Sequence, residues 1–144
     1  MMKRSCILPI FFFLFAVNHL FAQDTIQKDG YRQFYFQNGK ISSEGILRDG
    51  KPDGYWKAYN ENGSLKSEGN RKDFELDSLW KFYDTEGKLI LEINYLKGKK
   101  EGIKKTYLEN EIVAEIFSND IKEGFTTVYF PSGKIRQVIP FVKG

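Results

Sequence analysis

From residue 30 onward, apolar and polar positions alternate in short runs, broken every ten or so residues by Gly, Asn, Asp or Pro. The runs are rich in aromatic and β-branched residues, and a period of two with frequent turn signals predicts strands, not helices. The runs also repeat. Copies open GYRQFYFQNGKI at 30, GYWKAYNENGSL at 54, SLWKFYDTEGKL at 78, GIKKTYLENEIV at 102 and GFTTVYFPSGKI at 124, in steps of 24, 24, 24 and 22. Tyr35, Tyr59, Tyr83, Tyr107 and Tyr129 fill one position of every copy; Ile41, Leu65, Leu89, Ile112 and Ile135 fill another. Glu44, Glu68, Glu92 and Glu115 fill a third, where the last copy has Val138.

Each copy reads as a β-hairpin closed at Asn38-Gly39, Asn62-Gly63, Glu86-Gly87 or Ser132-Gly133, with a second Gly-marked turn joining it to the next. The expected fold is all-β: an elongated, twisted antiparallel meander of about five hairpins in a single sheet, without helices in the mature chain. Two-residue loops at the Gly pairs set Gln33 opposite Glu44, Lys57 opposite Glu68, Trp56 opposite Gly69, Ala58 opposite Ser67, Lys81 opposite Glu92 and Trp80 opposite Ile93. Copy four is shorter, and a three-residue loop centred on Asn110 sets Lys105 opposite Glu115. Alternation then predicts a core face holding Phe34, Ile41, Gly45, Trp56, Ala58, Leu65, Trp80, Phe82, Leu89, Leu91, Ile93, Leu108, Ile112, Ala114, Ile116, Val128, Phe130, Ile135 and Ile139. Trp56 is expected to fill the space over Gly69. The opposite face carries the Tyr column and cross-strand Lys-Glu pairs.

Ahead of the repeats, Lys3 and Arg4 precede an apolar run from Ile7 to Val17 and a small residue, Ala22. This predicts a signal peptide over 1–22, cleaved before Gln23, then a short lead over 23–29 and a repeat domain over 30–144. The repeats divide as 30–53, 54–77, 78–101, 102–123 and 124–144. Pro9 and Asn18-His19 make the run short for a membrane span, so the mature chain is expected not to be transmembrane. An exported chain is periplasmic, cell-envelope-associated or secreted.

Cleavage changes the chemistry. Cys6, His19, Met1 and Met2 leave with the leader, so the mature chain has no thiolate, no imidazole and none of the usual zinc ligands. Losing Lys3 and Arg4 leaves 20 Lys and Arg against 19 acids, a balance of +1 instead of +3. Interspersed signs give no footprint for nucleic acid.

The segments GYWKAYNENG and LKGKKEG resemble the MORN-repeat family in its bacterial variant form, over roughly 30–144. The resemblance implies a protein- or lipid-binding platform without catalysis, and some bacterial relatives carry an antitoxin-like label. Ser78 in place of a repeat Gly, Phe74 in place of Gly50 or Gly98, and the short fourth copy depart from the pattern.

Candidate sites follow. The Glu column, about 10 Å between equivalent strands, approaches the spacing of an inverting glycosidase pair; the plainer reading pairs each Glu with its cross-strand Lys. Asp73, Glu75 and Asp77 alternate as oxygen ligands do, but without the Gly and final Glu of a calcium loop they read as a polar turn. Lys97, Lys99, Lys100, Lys104 and Lys105 form a basic cluster interrupted by Glu101. The residues assigned to a partner are Tyr35, Tyr59, Tyr83, Tyr107, Tyr129, Lys57, Lys81 and Phe74. Those assigned to the repeat scaffold are Gly30, Gly54, Gly102, Gly124, Trp56, Trp80 and Gly69. No catalytic, cofactor or metal residues are assigned. The expected function is an exported, non-catalytic platform binding an unidentified protein or envelope component. The alternatives are a self-associating envelope module using the C-terminal edge from Arg136 to Gly144 and, remotely, a glycan-active enzyme using the Glu column.

Overall fold

A computed structural model describes residues 29–141; the predicted signal peptide and most of the lead lie outside them. Ten strands form one antiparallel sheet in chain order: β1 (Gly30–Tyr35), β2 (Ile41–Arg48), β3 (Lys51–Tyr59), β4 (Leu65–Lys72), β5 (Glu75–Tyr83), β6 (Leu89–Leu96), β7 (Lys99–Tyr107), β8 (Ile112–Ser118), β9 (Ile121–Tyr129) and β10 (Ile135–Pro140). The all-β hairpin meander expected from the repeat is the fold.

The register inside the first three hairpins matches expectation. Gln33 faces Glu44, Lys57 faces Glu68, Trp56 faces Gly69, and Lys81 faces Glu92. The turns reach it differently. Phe36 N donates to Lys40 O and Gly39 N donates to Phe36 O, so the Asn-Gly loop holds three residues, with Gly39 at φ +80°. That loop places Tyr35 across from Ile41, and a bulge at Ser42 then restores Phe34 opposite Ser43. Tyr59 with Leu65 and Tyr83 with Leu89 repeat the arrangement. Ile41, Leu65 and Leu89 therefore stand beside the Tyr column, not on the Trp face, because the bulged residue and its neighbour share one partner. The tight two-residue turns are the connections between hairpins. Asp49-Gly50, Asp73-Phe74, Lys97-Gly98 and Asn119-Asp120 all have positive φ, as a type I′ turn requires.

Copy four departs further. Leu108 N donates to Glu111 O across the two residues Glu109 and Asn110, and no bulge follows. Glu115 thus faces Lys104, and Lys105 faces Ala114. With period two, the missing bulge turns β8 over: Ile112, Ala114 and Ile116 lie on the Tyr face, while Val113, Glu115 and Phe117 join the Trp face.

A second irregularity recurs between hairpins. Gly45 pairs with Trp56 but the next residue, Ile46, pairs with Asp53, so Gly54 and Tyr55 bulge out of the β2–β3 ladder. The β4–β5 ladder skips Ser78 and Leu79, and the β8–β9 ladder skips Gly124 and Phe125. The kink needs a left-handed residue: φ is +77° at Gly54, and Ser78 adopts +58° despite its side chain. The indole N–H of Trp56 donates to Ile46 O at 3.0 Å, and that of Trp80 to Asn70 O at 2.7 Å, at the carbonyls beside each bulge. The rings therefore lean back over the preceding strand. A Cβ at Gly45 would meet the Trp56 ring at 2.5 Å, and one at Gly69 would meet Trp80 at 2.4 Å. Trp56 faces Gly69 in register, as expected, yet it covers Gly45; Trp80 covers Gly69.

Leu47, Trp56 and Trp80 form the core, with Phe34, Leu76, Phe82 and Tyr95 packed against it. It lies within the first three hairpins. No described side chain is wholly removed from solvent, since no second layer among the described residues covers the sheet. β10 is exposed along its whole length.

Gly69→Ala forces the Trp80 ring aside and should lower stability by about 1–3 kcal/mol in urea denaturation. Ser78→Gly relieves the left-handed strain and should raise it by about 1 kcal/mol. A neutral result for both would overturn the bulge geometry.

Candidate binding surface

The Tyr face is built by the two irregularities together. The loop bulge returns Glu44, Glu68 and Glu92 to the side of the tyrosines, and each accepts from the Tyr of the next hairpin. Tyr59 Oη donates to Glu44 at 2.6 Å, Tyr83 to Glu68 at 2.7 Å and Tyr107 to Glu92 at 2.7 Å. Glu44 also accepts from Tyr31 Oη at 2.6 Å and Gln33 Nε2 at 2.9 Å. The expected Lys-Glu pairs give way to this Tyr-Glu ladder. Lys57 and Lys81 stand across from Glu68 and Glu92, but among the described residues neither makes an ion pair. A phenol held by a rigid ring donates at lower entropic cost than a long Lys side chain.

The ladder stops at copy four. Glu115, turned to the other face, is held by Lys104 at 2.8 Å and Lys122 at 2.7 Å. Burial pushes its carboxyl up, but the hydrogen bonds and charge of the two lysines outweigh this and leave it below the ordinary value. Tyr129 makes no side-chain hydrogen bond among the described residues. Tyr35 is largely exposed and donates to Gln33. Phe74 lies away from this face, in the β4–β5 turn with φ +71°, under Lys51 Nζ at 4.1 Å from its ring centroid. Asp73 shares that turn, while Glu75 and Asp77 continue along β5. The basic cluster is divided between faces: Lys100 and Lys104 lie over Phe117, and Lys105 faces Glu92.

The second irregularity supplies residues that the sequence reading passed over. From the second hairpin on, the bulge aims the residue after the repeat Gly (Ser78 in the third) away from the sheet; Tyr31 of the first hairpin stands on the same face in regular pairing with Ile46. Tyr31, Tyr55, Leu79, Ile103 and Phe125 are 57, 52, 40, 48 and 53% exposed. They form a column of apolar side chains at steps of about 10 Å, beside the Glu and Lys columns. Ile46 and Ile116 extend it and are also exposed. Their recurrence directly after the first residue of every repeat is the signal in the sequence. Two hollows open along the column. One, of about 250 Å³, lies among Tyr31, Tyr55, Ile46, Glu44 and Lys57. The other, of about 190 Å³, lies among Leu79, Ile103, Asn94, Glu92 and Lys105. Both combine two residues of this column with the Glu between them and the Lys that follows.

The family description "MORN repeat variant" matches residues 28–48, 52–73 and 76–97, corresponding to the first three hairpins. These three units are MORN repeats, and β7 to β10 continue the same sheet beyond them. Repeats of this kind are commonly protein- or membrane-binding modules. No curated protein matches the chain.

The ladder predicts a pH dependence at both ends. Hydrogen bonds from Tyr31, Tyr59 and Gln33 hold the Glu44 carboxyl at about 2, down from 4.5. Its contribution is therefore fully present above about pH 4.5 and is lost as pH falls toward about 2. Burial, then the bond to Glu44, pushes the Tyr59 phenol up to about 12 from 10.0. That contribution is present below about pH 10 and is lost as pH rises through about 12. Glu44→Gln should flatten the acid limb of urea midpoint against pH, and should bring the Tyr59 phenol toward its ordinary value in an ultraviolet titration. If neither changes, Glu44 is not the hub of the ladder.

Proposed function

We propose that this chain is an exported, non-catalytic platform that captures a protein partner along the bulge column of its Tyr face. One observation carries the reading: large apolar side chains, 40 to 57% exposed, recur at the same position of five successive hairpins. An apolar stripe rimmed by charges marks an interaction surface. The rim alternates Glu with Lys, which suits a protein better than an anionic lipid surface, where basic residues alone are favoured. Glu44 is unsuited to act as a general acid, because a carboxyl held near 2 is ionised. Export rests on the leader-like residues 1–22.

Capture from a cell-envelope fraction should fall at least about tenfold for Leu79→Ser and Ile103→Ser, with stability within about 0.5 kcal/mol of the parent. Tyr59→Phe should bind normally, since its hydroxyl is committed to Glu44. Unchanged capture by both serine variants would overturn the surface. N-terminal sequencing of the cellular protein should begin at Gln23, and a retained Met1 would overturn export.

A second reading, self-association, is favoured by the C-terminal edge. Ile135, Val138 and Ile139 are 61, 50 and 42% exposed on β10, and an apolar edge strand is a template for pairing. Light scattering should then show mass rising with concentration; a monomer throughout removes this reading.

A further inference from the structure

The Trp face of the second hairpin breaks the repeat twice, at one place. At the fifth position of the repeat, counted from Gly30, Gly54 and Ser78, the first three hairpins carry Phe34, Ala58 and Phe82. Phe34 stacks on Trp56 with centroids 6.2 Å apart, and Phe82 lies 6.2 Å from Trp80. Between those aromatic pairs Ala58 leaves a gap, and its cross-strand neighbours are Ser43 and Ser67. In the third hairpin the corresponding neighbour is Leu91. Three small residues on adjacent strands thus make a floor about 10 Å across.

The other break is Arg71. The even strands carry Leu47, Arg71 and Tyr95 at one position, and the flanking residues belong to the core or pack against it. Arg71 lies over Trp80, with Cζ 5.4 Å from the ring. One of its N–H groups donates to Phe74 O at 2.7 Å. Among the described residues no carboxylate pairs with it. Burial pushes the guanidinium below its ordinary value, the response of a partly desolvated charge without a counter-ion.

Either break alone is a packing detail. Here both border one open hollow of about 280 Å³, walled by Trp56 and Trp80. We propose that this hollow is a binding site for an acidic peptide segment of a protein partner, with one aromatic side chain over Ala58 and an adjacent carboxylate on Arg71. The volume lies at the lower end of small-molecule sites and suits one anchoring side chain. The carboxylate would take the unused guanidinium donors, in a bond that Arg geometry makes bidentate. Trp and Arg are also the residue types that dominate interface energetics. The site is on the face opposite the bulge column, and Lys57 borders the hollows on both sides of the sheet.

Trp56 and Trp80 are the chain's 2 tryptophans, so fluorescence excited selectively at tryptophan, beyond the tyrosine absorption band, reports on this hollow. The probe is a Gly-Ser peptide carrying a central Phe-Asp pair. Saturable fluorescence change is expected, weakened about tenfold or more when the pair is Phe-Asn or Ala-Asp. Arg71→Leu and Ala58→Phe restore what neighbouring hairpins carry, so both variants should melt no lower than the parent while losing the peptide to a similar degree. No saturable change up to millimolar peptide would overturn the site, as would equal binding by either variant. Binding of 3-phenylpropionate as tight as that of the peptide would also overturn it, by making the occupant a small acid. Loss of envelope capture in Leu79→Ser with intact peptide binding separates this site from the Tyr-face surface.

Discussion

The structure depends on how a single layer of β-sheet keeps its tryptophans dry. Among the described residues no second layer covers either face, so burial must come from within the sheet. The indole N–H bonds to Ile46 O and Asn70 O make this possible. Each requires a carbonyl freed beside a two-residue bulge, and each lays a ring flat over a Gly in the preceding strand. A buried indole left without an acceptor would cost about 1–3 kcal/mol, and a side chain at Gly45 or Gly69 would lift the ring away. The same bulge aims Tyr55 and Leu79 out of the other face. One backbone defect per hairpin therefore makes the core on one side and the exposed column on the other. Ser78 accepts a left-handed backbone because abandoning the bulge would release Trp80.

The Tyr-Glu ladder adds coupling between neighbours. Each bond links a Tyr to a Glu 15 residues earlier, so every hairpin is tied to the one before it. Such an array behaves as a chain of units stabilised by nearest-neighbour contacts. Glu44 is the best-served member, with three donors, at the end that also holds the core. At the fourth hairpin both devices fail together. Lys104 stands where a Trp would lie, and Glu115 has crossed the sheet. The C-terminal hairpins rely on the Lys104-Glu115-Lys122 ion pairs and on Val128, a weaker basis that accords with β10 being exposed throughout.

The recurrence of Tyr and Gly made the fold legible, and the inner register was legible because two departures cancel. A loop one residue longer than expected and a one-residue bulge return Lys57 to Glu68. Copy four has neither, and there the same reasoning chose the wrong face for Glu115. The direction in which Trp56 leans could not be read, since it pairs with Gly45 on one side and Gly69 on the other; only the bulge decides between them. The ladder was hidden for a similar reason. Its partners sit diagonally across strands, while pattern reading compares residues directly opposite, where Lys and Glu do meet. Tyr59, Tyr83 and Tyr107 looked like unclaimed contact residues because their acceptors were assigned elsewhere.

The two faces differ in what they can specify. A column repeated at each hairpin offers a partner several equivalent seats, and a slip of one hairpin, about 10 Å, leaves the pattern intact. Register on that face must come from the changing side chains, Tyr31 and Tyr55 giving way to Leu79, Ile103 and Phe125. A phenol offers hydrogen bonding that Leu and Ile cannot, so a partner with polar groups at one end favours one polarity along the sheet. The Trp face has no such ambiguity, because the gap at Ala58 beside Arg71 interrupts the repeat once within the core. Repetition supplies area, and the residues that break it supply position.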